Sequence, residues 1–476
     1  MRALPTEAAT PTGRQTATYR FTAAPELRMA VTPHRLDERP VHRWGWLAHS
    51  FGPDLISWVL ERVAPPSGAV VIDPFCGAGS TLVAARSYGF VALGTDLSPW
   101  SILLSRLKAS APGRLDPQAL RDATRRVEAP ARRKAGRGGP AFTAPDEPAL
   151  ARMLHPAVHA EAMRIAGLAA AARDDADGAL VSDALFVALL CALPEHALLV
   201  RKGGWLAWAQ DDGPAQGARS DATALRRNVG ARLRCMAEDL SGGLFGPDPA
   251  TGARGPAASV LRADARELPL EPGSVDLVVT SPPYANRHDY TRAYALELAF
   301  LVGDRDLRRF RAAHFESHPE VRPEERWRKT GAFVPTRALA AAAEIERRAV
   351  RDEDRSTLRY RVPRMLSGYG ADAALCASEL ARVLRPGGSV ALVVGNSSYT
   401  GVEYESDAVW AEALDAAGFS VEEIAVARER TPSPQQTIQG SVLRRRESVV
   451  IARKPGSSPT RAGVVEFRAP GHLAPG

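Results

Sequence analysis

The sequence predicts an α/β fold of the doubly wound type, a mostly parallel seven-stranded sheet with a large helical insertion between the second and third strands. Three observations predict it. Short runs rich in Val, Ile and Leu recur without polar alternation, as in strands covered on both faces. A unit of strand, glycine loop, helix, strand and terminal acid runs from Ala69 to Asp96. A further buried run, Val275 to Val279, opens directly into Thr280-Ser281-Pro282-Pro283-Tyr284.

Residues 1–40 are rich in Thr, Ala, Pro and Arg without a clean period, which predicts a disordered tail. From His42 to Val63 the apolar spacing is helical, with Pro53 suited to a first helical turn. Ala69 to Asp73 reads as the first core strand. Pro74-Phe75-Cys76-Gly77-Ala78-Gly79-Ser80-Thr81 then leads into a helix that Gly89 closes. The second strand, Val91 to Thr95, ends at Asp96. Glycines allow close backbone approach to a ligand, and an acid at that strand end suits a ribose diol.

Residues 110–257 interrupt the alternation. This stretch holds a basic Pro/Gly/Ala linker around Arg132 to Arg137, then a helical block from Ala149 to about Val200. Arg201-Lys202-Gly203-Gly204-Trp205-Leu206-Ala207-Trp208 places two cations and two Trp around a turn. That combination suits phosphate and base contacts, or equally a solvated turn with packed indoles. Core strands resume at Ser259 to Asp264, again ending in an acid, and at Val275 to Thr280. A helix through Leu296 and Leu298 follows. Residues 304–364 are dense in both signs of charge and read as a solvated helical surface. The last three strands are Ser389 to Asn396, Phe419 to Val426 and Ser448 to Ala452, and the tail 455–476 reads as disordered.

The chain has 476 residues, room for two or three domains or one large decorated one. Its net charge of +7 is compatible with a polyanionic partner without requiring one. The 4 cysteines lie far apart, so neither a zinc site nor a disulfide framework is indicated, and no metal is expected. No apolar run has the length of a membrane span and no signal-peptide core opens the chain, which predicts a cytoplasmic protein without a membrane partner.

The tip at Ser281 to Tyr284 carries the chemistry. Alone, Ser-Pro-Pro is common in linkers; the buried strand before it and the tyrosine after it argue for a site. Ser281 offers a hydroxyl. Pro282 and Pro283 fix two φ angles and leave carbonyls as acceptors, and Tyr284 adds a flat ring. Such a tip suits gripping a planar group that carries an N–H donor.

These motifs resemble those of S-adenosylmethionine-dependent DNA methyltransferases that modify exocyclic amino groups, the N4-cytosine and N6-adenine group. The resemblance rests on Asp73 to Thr81 and Thr280 to Tyr284. Asn286-Arg287-His288-Asp289-Tyr290-Thr291-Arg292, Val394-Gly395-Asn396 and Arg446-Glu447-Ser448 add to it. It covers about residues 42–109 and 259–454. It implies a seven-stranded Rossmann-like methyltransferase sheet, formed by residues 41–109 and 258–454, with S-adenosyl-L-methionine as cofactor.

The resemblance further implies that Asp73, Phe75, Gly77 and Gly79 hold the methionine part of the cofactor. It places Asp96 at the ribose, Asp264 near the adenine, and Phe51 and Pro53 in the same pocket. Ser281, Pro282, Pro283 and Tyr284 would be the catalytic tip. Arg201, Lys202, Arg287 and Arg292 are the candidate nucleic-acid contacts. The expected partner is double-stranded DNA, in the nucleoid, with a cognate restriction endonuclease as a further partner of a restriction–modification system. The insertion 110–257 is the candidate target-recognition region, with 304–364 as its rival.

Serine rather than aspartate at 281 leans toward N4 of cytosine. The alternatives are N6 of adenine, an RNA base amino-methyltransferase, and a non-catalytic DNA-binding subunit that keeps only the fold. Against the last stand the intact tip and the Asp73/Asp96 pair. The absence of a Pro-Cys nucleophile argues against a cytosine C5 mechanism.

Overall fold

The computed structural model describes residues 18–45, 47, 50–129, 142–173, 178–202, 205–209, 219–242, 258–286, 288–318, 333–349, 361–430 and 445–456. One sheet of 8 strands organises them. In chain order these are β1 Phe21–Ala23, β2 Val70–Asp73, β3 Val91–Asp96, β4 Ala258–Arg262, β5 Val275–Thr280, β6 Leu384–Gly395, β7 Ser420–Arg430 and β8 Arg445–Arg453. Their spatial order is β1-β7-β8-β6-β5-β2-β3-β4. All neighbours run parallel except at β8, which is antiparallel to both β7 and β6.

The seven expected strands are present, with β4 ending at Arg262 rather than Asp264. The eighth, β1, corrects the reading of a disordered tail for its part from residue 18 on; residues 1–17 lie outside the described residues. Phe21, Thr22 and Ala23 pair with Ile424, Ala425 and Val426, and Ala24 and Leu27 are buried behind them. Three residues are too short a run for periodicity to register; an available sheet edge orders them.

β2 and β5 are buried along their whole length, as parallel strands covered by helices require. Their starts are pinned by Asp276, which accepts from the Val70 N–H at 2.7 Å and pairs with Arg385 at 2.8 Å. One face packs the helix Pro53–Val63 through Leu55, Ile56 and Val59. Fully burying each such side chain contributes about 1.5–3 kcal/mol. The other face packs the helix Val362–Val383.

The described residues of the insertion are mostly helical, with one two-stranded hairpin, and share one apolar core with Trp44, Leu103, Leu104 and Leu107. Its helix Ala222–Ser241 is tied back by Asp239, which accepts from the Val41 N–H and the Trp44 indole, both at 2.8 Å. One window, Gly178–Glu195, is apolar enough by composition to cross a membrane, contrary to the sequence-based expectation. It is mostly buried, and its apolar side chains belong to the insertion core.

The charged insertion 304–364 is less solvated than its composition predicts. Phe310, Phe315, Glu316, Ser317 and His318 are buried. A few anchors among many Arg and Glu side chains suffice to dock the segment, and average charge hides them. Residues 319–332 and 350–360 lie outside the described residues, as do the basic linker around Arg132 and the tail from 457.

Candidate active site

The strand order reverses direction at β2, which has β3 on one side and β5 on the other. Ligands of open α/β sheets sit in the crevice beyond the strand ends at such a switch point. A cleft lies there, lined among others by Phe51, Asp73, Phe75, Gly77, Asp96, Asp264 and Ser281 to Tyr284. Two stretches far apart in the sequence thus meet in one cavity.

The glycine loop is shaped by its own backbone. The Cys76 N–H donates to the Thr95 carbonyl at 2.9 Å, and the Gly77 N–H to Asp96 Oδ2 at 3.1 Å. Gly79 caps the helix Ser80–Ser87 with φ +82°, and a Cβ there would lie 3.0 Å from Ser105 Cα. Gly79 therefore serves helix packing and does not line the cleft. Pro53 is at the first turn of its helix and is likewise not among the lining residues.

Asp73 lines the cleft and braces it. Its Oδ1 accepts from the Thr280 hydroxyl and from the Phe75 N–H at 3.1 Å, and its Oδ2 from the Thr81 hydroxyl at 2.7 Å. Burial pushes its carboxyl up to about 6, against those hydrogen bonds. Asp96 also accepts from the Ser98 N–H at 2.8 Å, and desolvation raises its carboxyl above the usual range. Asp264 sits two residues past β4 and pairs with Arg266 at 2.7 Å; Arg266 also holds Asp372 at 2.6 Å.

The tip is held from behind. The Ala285 carbonyl accepts from both the Ser397 and Tyr399 hydroxyls at 2.6 Å. Tyr284 is buried, and its hydroxyl donates to Glu447 at 2.9 Å. Burial and the Glu447 carboxylate raise the phenol well above its ordinary value.

Among the lining residues that the sequence reading did not place in the site are Tyr290, Tyr294, His314 and Phe315. Tyr290 falls within the quoted Asn286 to Arg292 run, whose aromatic was the available signal. Phe315 meets Phe75 edge-on at 5.8 Å and stacks near Trp410 at 6.0 Å. His314 is driven down to about 4 by burial and stays neutral.

Of the four candidate cations, Arg292 is not among the residues that line the cleft. Arg292 is exposed and pairs with Asp289 at 3.4 Å. Arg201 and Lys202 lie on the strand Leu199–Lys202, which pairs antiparallel with Trp205–Trp208. This hairpin packs beside the helix Tyr290–Ala293, and Trp208 is 62% exposed. Arg287 lies outside the described residues.

The cleft suits S-adenosylmethionine by its donor set. It joins carboxylates at two adjacent strand ends, Asp96 and Asp264, to a glycine edge and apolar walls from Phe51, Phe75 and Leu97. Among the described residues no cluster suited to a metal ion occurs.

No family model matches the chain. It is 24% identical over 445 residues to the Type II methyltransferase M.AvaI of Nostoc sp., spanning 88% of this chain and 87% of that protein. Over 205 residues it is 30% identical to the Type II methyltransferase M.BsoBI of Geobacillus stearothermophilus, 39% of this chain and 40% of that one. Among solved structures, a methyltransferase from Methanosarcina mazei is 9% identical with a TM-score of 0.28, over 83% of this chain and 97% of that one, too slight a likeness to add weight. Along most of its length the chain is therefore similar to Type II methyltransferases, on a mostly parallel sheet whose switch point carries the cleft.

Proposed function

We propose that this protein is a site-specific DNA methyltransferase that modifies the exocyclic amino group of a base swung out of the duplex, with N4 of cytosine as the favoured target. The observation that carries this reading is the meeting of Ser281 to Tyr284 with Asp73, Gly77, Asp96 and Asp264 in one cleft.

When bound, the cofactor supplies an electrophilic sulfonium methyl group. Asp96 and Asp264 would hold its ribose and adenine, and Phe75 and Gly77 its amino-acid end. An aromatic amino group is a weak nucleophile because its lone pair is delocalised into the ring. Hydrogen bonds from its two N–H groups to Ser281 Oγ and the Pro282 carbonyl favour a pyramidal, more nucleophilic nitrogen. Tyr284 offers a face for the extruded base, and such stacking contributes about 1–3 kcal/mol. The base must leave the duplex because its amino group is otherwise paired. Positioning the amino nitrogen against the methyl group is the chief contribution to rate. Serine at 281 supports cytosine over adenine.

The test is expression in a methylation-free host followed by single-molecule sequencing of its DNA. The expected result is N4-methylcytosine in one sequence context. N6-methyladenine in one context would move the target to adenine. Unmodified DNA with labelled methyl transfer to RNA would overturn the DNA reading.

A further inference from the structure

Glu447 lies on β8, opposite Gly395 of β6 on one side and Arg428 of β7 on the other. Its side chain is 3% exposed. One carboxylate oxygen accepts from the Tyr284 hydroxyl at 2.9 Å, and the other accepts from Arg428 Nε at 2.5 Å, with Arg430 at 3.7 Å. The Tyr284 ring rests on Gly395. A Cβ at that position would fall 2.7 Å from Tyr284 Cε2 and 2.9 Å from Cδ2. The Ser281 hydroxyl engages the same Tyr284 oxygen.

Proton bookkeeping gives this chain a direction. An ionised carboxylate only accepts, and a phenol has one proton to give. Tyr284 gives its proton to Glu447, so toward Ser281 it accepts. Ser281 must then donate to Tyr284, which leaves the Ser281 lone pairs for an N–H donor in the cleft. An amino group to be methylated is such a donor.

We propose that Glu447 is a positioning residue for methyl transfer: it holds the Tyr284 ring on Gly395 and, through the Tyr284 hydroxyl, turns the Ser281 oxygen into an acceptor for the substrate amino group. This rests on the amino-methyltransferase reading above. It extends the site to β8, where Arg428 and Arg430 of β7 pair with the same carboxylate.

Glu447→Gln separates orientation from shape. Because Arg428 only donates, the carbonyl of the introduced amide would turn to it and the amide NH₂ would face Tyr284. The chain then reverses: Tyr284 donates to Ser281, and Ser281 presents a proton where an acceptor is needed. The full-length protein is assayed for single-turnover transfer from S-adenosylmethionine to DNA, with cofactor affinity measured by calorimetry and base extrusion by 2-aminopurine fluorescence at the target position.

The expected result for Glu447→Gln is a loss of about tenfold or more in transfer rate with cofactor affinity within about twofold. Tyr284→Phe should lose rate to a similar degree while keeping the 2-aminopurine signal, and the double variant should lose little more than either single one. Wild-type rates in Glu447→Gln or in Tyr284→Phe would overturn the proposal. Failure of the wild-type protein itself to methylate DNA would instead count against the functional reading.

Discussion

The Asp73 carboxylate, at the end of β2, accepts a hydrogen bond from the Thr280 hydroxyl, at the end of β5. This contact joins the strand that leads into the glycine loop to the strand that leads into the Ser-Pro-Pro-Tyr tip. Burial raises the Asp73 carboxyl to about 6, so the folded protein holds this proton more tightly than the unfolded chain does. The contribution of Asp73 to stability is therefore greatest below about pH 4 and is lost as pH rises through about 6.

Asp73→Asn should remove that pH dependence. Its carbonyl can still accept from Thr280 and the Phe75 N–H, and Thr81 retains the Val279 carbonyl at 3.3 Å as an acceptor. The wild-type minus variant unfolding free energy, from urea titrations between about pH 4 and 7, should fall by up to about 3 kcal/mol as pH rises. A constant difference would show that Asp73 ionises normally.

Gly79→Ala should destabilise the fold by about 1 kcal/mol or more, since it combines positive φ with contact on the Ser105 backbone. Because Gly79 does not line the cleft, cofactor affinity measured below the melting temperature should change much less than stability does. A selective loss of affinity at unchanged melting temperature would instead mark it as a cofactor contact.

Arg266→Ala removes the guanidinium that pairs with Asp264 and with the buried Asp372, which keeps only the Glu316 N–H among the hydrogen bonds shown. Breaking a buried pair of this kind costs about 3–5 kcal/mol. Adding Asp372→Leu should recover part of that loss, because the remaining uncompensated charge is removed. Chemical denaturation of the single and double variants checks both statements.

Phe315→Ala should cost about 3–5 kcal/mol, as for other large buried aromatics, and also loosen the cleft wall where Phe315 meets Phe75. The expected signature is a lower melting temperature together with a raised KM for S-adenosylmethionine, measured where the variant is still folded.

Arg201→Ala and Lys202→Ala should each weaken DNA binding almost equally for cognate and random duplexes, with a salt slope reduced by about 1. Trp208→Ala on the same hairpin should lower affinity without that change in slope. Binding isotherms across a series of salt concentrations distinguish these outcomes; an unchanged affinity in all three would remove the hairpin from the DNA interface.

Much of the framework was legible in the chain itself. The runs Val70 to Asp73, Val91 to Asp96 and Val275 to Thr280 are buried strands because nothing polar alternates within them, and Gly and Pro mark where they turn. Those are local signals, set by backbone freedom and by which neighbouring side chains tolerate water, and they also located Asp73, Asp96 and the Ser281 to Tyr284 tip. Tertiary packing alone decided that Gly79 faces Ser105, that Tyr294, His314 and Phe315 close the cleft, and that Phe21 to Ala23 extend the sheet. It also decided the pairing of Tyr284 with Glu447, 163 residues away. No local pattern encodes such a distance, because it depends on an antiparallel β8 entering the sheet beside β6, and strand order is a property of the assembled sheet.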